Sequence, residues 1–267
     1  MLAPFPAWFS AAPASLSPPV LSSTSVGCMG IVMDVGCNDG SDTLAWLRRG
    51  YCVVSIDANP QMTELTARRS ASFKQRVRLM TYGVDETPGS LTFWLTSDPA
   101  HSSFDRGKAE RADPTGVTAR IIPTVRCETL WDSFVGRPYF LKIDIEERHY
   151  VCVQALRHVQ RERLPLYDID YVAFERHATQ HKGLPAPMLD AQLLLTLYQI
   201  GYHTAKVRPG YSFTASGNES PEEVMDGRTN STAWVPLPQL FRRGLTPGQA
   251  TPAQHSHWHD WIVKLRV

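Results

Sequence analysis

From about residue 31 the chain alternates short apolar runs, rich in β-branched side chains, with amphipathic stretches of helical period. Ile31 to Val35, Tyr51 to Asp57, Val77 to Val84, Ser90 to Leu95, Tyr139 to Ile145 and Ile169 to Phe174 read as strands. Asp42 to Arg49, Gln61 to Ala71, Glu147 to Gln160 and Met188 to Ile200 read as helices, the last closed by Gly201. A wholly apolar strand needs cover on both faces, and a helix joining two such strands returns the chain by a right-handed crossover. The alternation predicts an α/β fold with a doubly wound, Rossmann-like, mostly parallel sheet of about seven strands and helices on both faces.

Composition narrows the function classes. The 267 residues, 43% hydrophobic, are enough for a large buried core. With 27 basic and 26 acidic residues the formal net charge is +1, so no broad positive field exists to hold a polyanion, and nucleic acid is not expected as a partner. No uncharged apolar run reaches the roughly 18 residues of a membrane span without a proline. Cys28, Cys37, Cys52, Cys127 and Cys152 show neither paired CxxC spacing nor scaffold density, and read as reduced, mostly buried thiols of a cytoplasmic protein.

The first charged residue is Asp34, and residues 1–29, rich in Ala, Ser and Pro, read as a tail. This segment lacks the basic start and unbroken apolar stretch of a secretory signal. Residues 30–245 are expected to form one domain, followed by a Pro-, Gln- and His-rich extension over 246–267. Thr96 to Arg120 is polar and without period, which suggests a functional lid or disorder. The sequon Asn230-Ser231-Thr232 has meaning only in a secreted chain.

In an open α/β sheet, ligands bind beyond the carboxyl ends of the strands. The loop after the first predicted strand reads Asp34-Val35-Gly36-Cys37-Asn38-Asp39-Gly40. Its glycines permit close backbone approach, and the following helix turns its first amides to the same place. Seventeen positions past Gly40, Asp57 ends the second strand, where a carboxylate can accept both ribose hydroxyls of an adenosine. The spacing is Gly-x-x-x-Gly rather than GxGxxG, which disfavours a nicotinamide-dependent oxidoreductase. Asp34 and Asp39 flank the loop; two carboxylates would repel a pyrophosphate but suit S-adenosylmethionine, whose methionine end carries an ammonium and a sulfonium.

The glycine loop, with Ile56-Asp57-Ala58-Asn59-Pro60 and Leu141-Lys142-Ile143-Asp144-Ile145-Glu146, resembles the FkbM family of S-adenosylmethionine-dependent methyltransferases. Thr129-Leu130-Trp131-Asp132 and Phe174-Glu175-Arg176-His177 are weaker matches, and the similarity covers about residues 31 to 205. The resemblance implies a class I methyltransferase sheet. It implies that Asp34, Gly36, Asn38 and Gly40 line the methionine end of the cofactor, that Asp57 holds its ribose, and that Gly83 and Val84 lie near adenine. Ser102, Ser103 and Phe104 would face the substrate. Where the family usually has glycine after Asp-x-Glu, this chain has Glu147, and the usual helical segment before the first strand gives way to the proline-rich tail, so one rim of the pocket could be open or supplied by another chain.

Methyl transfer to oxygen is an in-line displacement that alignment accelerates, but an alcohol must also lose its proton. Asp144, Glu146, Glu175 and His177 all stand where they could face the sulfonium. Asp144 or His177 is the expected base, with Glu146 and Glu175 orienting the acceptor. Lys142 and Asp144, two apart on one strand face, could instead simply pair. Asp-x-Glu, the pair His177 and His181, and His255, His257 and His259 have metal-like spacings, but no third partner is located and no metal is assigned. By the resemblance the acceptor is a hydroxyl on a sugar or small metabolite; the alternative is a non-catalytic S-adenosylmethionine-binding module.

Overall fold

The computed structural model describes residues 21–22, 27–145, 148–165, 167–173, 186–209, 235–242 and 258–265. After a short strand β1 (Leu21–Ser22), the predicted alternation follows: β2 (Ile31–Val35), α1 (Ser41–Arg48), β3 (Cys52–Asp57), α2 (Pro60–Arg69) and β4 (Val77–Thr81). Next come β5 (Gly83–Val84), β6 (Gly89–Leu95), α3 (Arg106–Ala112), β7 (Thr118–Val125), β8 (Phe134–Val135), β9 (Phe140–Ile143) and α4 (His149–Ala155). The remaining elements are β10 (Tyr167–Ala173), α5 (Ala186–Ile200), β11 (Tyr202–Pro209), β12 (Val235–Pro236), α6 (Leu237–Arg242) and β13 (Trp258–Leu265).

The main sheet has eight strands in the order β12-β11-β13-β10-β9-β2-β3-β4. β4, β3, β2, β9 and β10 run parallel, and β13 is antiparallel to both of its neighbours. From β2 the chain steps outward to β3 and β4, then returns to β9 on the other side of β2. The switch point therefore falls at the carboxyl ends of β2 and β9, where this class of sheet opens a crevice.

Strand periodicity divides the core into two layers. Ile31, Met33 and Val35 of β2, with Leu141 and Ile143 of β9, pack toward Val151, Val153, Leu193 and Leu197 of α4 and α5. Val32, Val53 and Phe140 face the other way, onto Trp46 and Leu47 of α1 and Tyr51 beyond it. By the same parity Asp34, Ser55 and Lys142 turn to the α1 side, which puts three polar side chains in the interior beneath the glycine loop.

Several expectations are corrected. The cysteines are not all reduced: Cys28 is bonded to Cys52 and Cys127 to Cys152, while Cys37 stays free and buried. The partners lie 24 and 25 positions apart, and the fold brings their Cα atoms to 5.5 and 5.1 Å, within bonding range. Within the segment expected as a tail, Leu21 and Ser22 pair with Phe134 and Val135. The stretch from Thr96 to Arg120 holds α3 and the start of β7, which pairs with β6 and β5 in a separate sheet. β13, within the segment expected as a C-terminal extension, sits between β10 and β11 in the central sheet.

Candidate active site

The loop from β2 to α1 depends on two left-handed glycines and an equally unusual asparagine. Gly36 (φ 86°), Asn38 (φ 45°) and Gly40 (φ 77°) all have positive φ. A Cβ on Gly36 would collide with the carbonyl oxygen of Asp144, so the loop rests directly on the end of β9. Gly40 packs against Thr66 of α2, whose Oγ1 would lie 2.5 Å from an added Cβ. The Asn38 amide donates to Asp57 Oδ2 at 2.8 Å, and the Asn59 amide donates to Oδ1 at 2.8 Å. Burial pushes the Asp57 carboxyl up, and these two amides oppose that rise.

Beneath the loop, Lys142 occupies a nearly dry pocket. Its Nζ lies 2.9 Å from Asp42, 3.2 Å from Asp34 and 3.6 Å from Asp144, and donates to the Gly36 carbonyl at 3.1 Å. Thr43 Oγ1 donates to Asp34 Oδ2 at 2.6 Å. Burial raises the Asp34 carboxyl to about 6, with Lys142 pulling it down and Asp42 pushing it further up. Asp34 is 0% exposed, whereas the Asp144 side chain is 41% exposed and lies on the cleft. The Lys142–Asp144 contact anticipated from their spacing is present, but it is the longest of the three.

The cleft opens at the switch point. Gly36, Asn38, Asp57, Gly83 and Val84 line it, as do Asp144, Ile145, Asn59 and Met62. Ser102, Ser103 and Phe104 close one side. Ser103 pairs with Trp94 of β6 through backbone hydrogen bonds of 2.8 and 3.0 Å, which pins this covering segment to the second sheet. The Phe104 ring fills the space above Gly83, where an added Cβ would collide with it. Arg148, also on the cleft, pairs with Asp85 at 2.6 Å and lies over the Phe104 ring at 5.1 Å.

Two expected cofactor residues sit behind the cleft rather than on it. Asp34 belongs to the Lys142 cluster, and Gly40 to the contact between α1 and α2. Asp39 is likewise satisfied elsewhere, by Arg69 at 2.7 Å and Ser41 at 2.9 Å. The charge argument that relied on Asp34 and Asp39 is corrected accordingly: both have cationic partners, and the cleft carboxylates are Asp57 and Asp144. Glu146, Glu175, His177 and His181 lie outside the described residues, as do His255 and His257. Among the described residues no group of His, Cys, Asp and Glu could hold a metal ion. Asn59, Arg148, Tyr82 and Met62 were not singled out for the site; helix-cap and β-end positions gave no signal separating them from structural residues.

A doubly wound sheet with a glycine loop and an acidic second strand at its switch point defines a class I, adenosine-binding methyltransferase fold. The chain belongs to the FkbM methyltransferase family: the methyltransferase FkbM domain matches residues 34–202. Its cofactor is S-adenosylmethionine. No curated protein sequence matches the chain. Among solved structures it is similar to an rRNA methylase of Streptococcus thermophilus, at 14% identity and a TM-score of 0.37 over 89% of this chain and 87% of that one. A TehB-like S-adenosylmethionine-dependent methyltransferase of Corynebacterium glutamicum gives 9%, 0.38, and coverage of 90% and 82%. The plantazolicin methyltransferase BpumL, in complex with S-adenosylhomocysteine, gives 11%, 0.38, and coverage of 89% and 76%. The family assignment rests on the domain match rather than on these distant likenesses.

The cleft residues fit that cofactor. Asp57 is held rigidly by two backbone amides, as a bidentate acceptor for vicinal hydroxyls must be. Around it the walls are mixed: Met62, Tyr82 and Phe104 offer apolar surface for a purine, while the Gly36–Asn38 turn leaves room for an amino-acid end.

Proposed function

We propose that this chain transfers a methyl group to a hydroxyl of a sugar or small metabolite, with Asp144 as the base. The observation that carries the reading is the position of Asp144: it shares a cleft with Asp57, its carboxylate is partly open, and its backbone braces Gly36. S-adenosylmethionine supplies an electrophilic methyl on a sulfonium. Asp57 binds and fixes the nucleoside, and Asp144 takes the acceptor proton as the new carbon–oxygen bond forms and the carbon–sulfur bond breaks. Lys142 holds the Asp144 carboxylate from behind, so its open side faces the acceptor. Phe104, packed over Gly83 with Arg148 over its ring, excludes water from the nucleoside side.

The two disulfides favour an oxidising compartment over the cytoplasmic location expected from the cysteine count, because structural disulfides persist mainly where thiols are not kept reduced. The acceptor would then be encountered there.

Titration calorimetry with S-adenosylhomocysteine, followed by transfer of labelled methyl to a panel of hydroxylated acceptors, tests the reading. Asp57→Ala should weaken binding by about 1 to 3 kcal/mol, the loss of hydrogen bonds to a charged group. Asp144→Asn should bind normally and transfer about 10²- to 10⁴-fold more slowly. Full turnover by Asp144→Asn would remove the proposed base.

A further inference from the structure

The ion cluster beneath the glycine loop carries more negative charge than its structural role needs. Lys142 Nζ has Asp42 at 2.9 Å, Asp34 at 3.2 Å and Asp144 at 3.6 Å, so three carboxylates share one ammonium. One buried carboxylate neutralises a buried lysine, and each further one held in a dry interior is unfavourable by itself. Asp34 and Lys142 are 0% and 3% exposed, and Asp42 Oδ1 is buried without a hydrogen-bond partner. The start of α1, whose first turn holds Asp42, offsets part of the surplus. Among the described residues around the cleft, other charges cancel in pairs, Arg148 with Asp85 and Arg69 with Asp39. The carboxylates on Lys142, together with Asp57, are not cancelled in this way.

That surplus is felt in the loop and on the cleft wall. The Cys37 thiol, between Gly36 and Asn38, is pushed well above its usual range, first by burial and then by the charges of Asp34 and Asp57, with Lys142 opposing them. Asp57, which burial pushes up, also feels the charges of Lys142 and Asp144. Lys142 grips the Gly36 carbonyl at 3.1 Å, and Gly36 lines the cleft with Asp57 and Asp144. We infer that the carboxylates gathered on Lys142 make the cleft select the sulfonium form of the cofactor over its thioether product, with Asp34 and Asp42 acting by charge through the loop and not by contact. S-adenosylmethionine carries one more positive charge than S-adenosylhomocysteine, at the sulfur, and charges set in a low-dielectric wall are little screened by salt. Transfer of the methyl group leaves the bonding pair on sulfur, which becomes a neutral thioether, so the field that favours the donor ceases to hold the product. The inference rests on the cofactor assignment and adds two positioning residues that decide which form of the cofactor is retained.

The test is calorimetric titration of the full chain at pH 8, above the value of about 6 to which burial raises the Asp34 carboxyl, so that Asp34 is charged. The wild type, Asp42→Asn and Asp34→Asn are each titrated with S-adenosylmethionine, with S-adenosylhomocysteine, and with sinefungin, an analogue that keeps a positive charge in place of the sulfonium. Both substitutions preserve the size of the side chain and leave an acceptor for its neighbours. In each variant the affinity for the two cationic ligands should fall about fivefold, the scale of losing one unit charge near a binding wall, while that for S-adenosylhomocysteine changes by less than about twofold. A purely structural cluster would weaken all three ligands alike; that result, or unchanged affinities in either folded variant, would overturn the inference. If one variant fails to fold, the other decides. Tighter binding of S-adenosylhomocysteine than of both cationic ligands by the wild type would overturn the inference with no variant needed. Failure of the wild type to bind any of the three would sink the cofactor assignment itself, whereas wild-type binding with unselective variants sinks only this inference.

Discussion

Removing the bond between Cys127 and Cys152 should destabilise the protein by an amount that follows from chain length. The two residues lie 25 positions apart, and both are fully buried in the layer between α4 and the main sheet. Cross-linking a loop of that size removes about 3.5 kcal/mol of conformational entropy from the unfolded chain at 25 °C. Unfolding 267 residues carries an entropy of about 0.56 kcal/mol/K, so the loss corresponds to a melting temperature about 6 °C lower. The effect should also reach the cleft, because Cys152 anchors α4, whose first turn follows Asp144 and Arg148 directly. The assay is a thermal melt of the Cys127→Ala/Cys152→Ala chain beside the wild type, with and without reductant. Reductant should lower the wild type more than the variant, which keeps only the Cys28–Cys52 bond to lose. Identical melts for variant and wild type, or free thiols at Cys127 and Cys152 on peptide mapping of the native protein, would refute the reasoning.

Two further outcomes follow from the site. Burial holds the Asp34 carboxyl near pH 6 when folded and close to its ordinary value when unfolded, so the folded state binds the extra proton between about pH 4 and 6. Its contribution to stability is therefore greatest at the acid end and declines as pH rises through 6, by at most about 3 kcal/mol. Urea unfolding of Asp34→Asn beside the wild type should show a stability gap that shifts in favour of the variant between pH 4.5 and 7, and parallel curves would exclude this origin. Gly83→Ala should displace the Phe104 ring, since the new methyl group occupies its seat, and so uncover the nucleoside side of the cleft. The expected signs are weaker S-adenosylhomocysteine binding and faster proteolysis around residues 99–105, and Phe104→Ala alone, which removes the same cover, should reproduce both.

How much was legible in the sequence differs by element. Strands β2 and β3 were plain because burial on both faces leaves mostly apolar runs, broken inside the strands only by Asp34 and Ser55. The strand Thr118–Val125 was not, because its first half, Thr118 to Ile121, is exposed and shows no alternation. β13 was missed for another reason: its place depends on β10 and β11 lying apart to receive it, and nothing near Trp258 records that gap. Asp57 and Asp144 could be singled out because they close parallel strands, and both line the cleft. Asp34 was placed on the wrong side of the same loop, because strand parity sends its carboxylate down to Lys142, a contact across 108 positions of chain.

The sequence by itself determined the class of fold, the location of the glycine loop and the acid that follows it, since each is written in the periodicity and turn chemistry of adjacent residues. Only the tertiary structure decided which cysteines join, that Lys142 is shared among three carboxylates, and that Phe104 covers Gly83 with Arg148 over its ring. Those are meetings of residues far apart in the chain, and their energies depend on burial and distance, which exist only once the sheet has assembled.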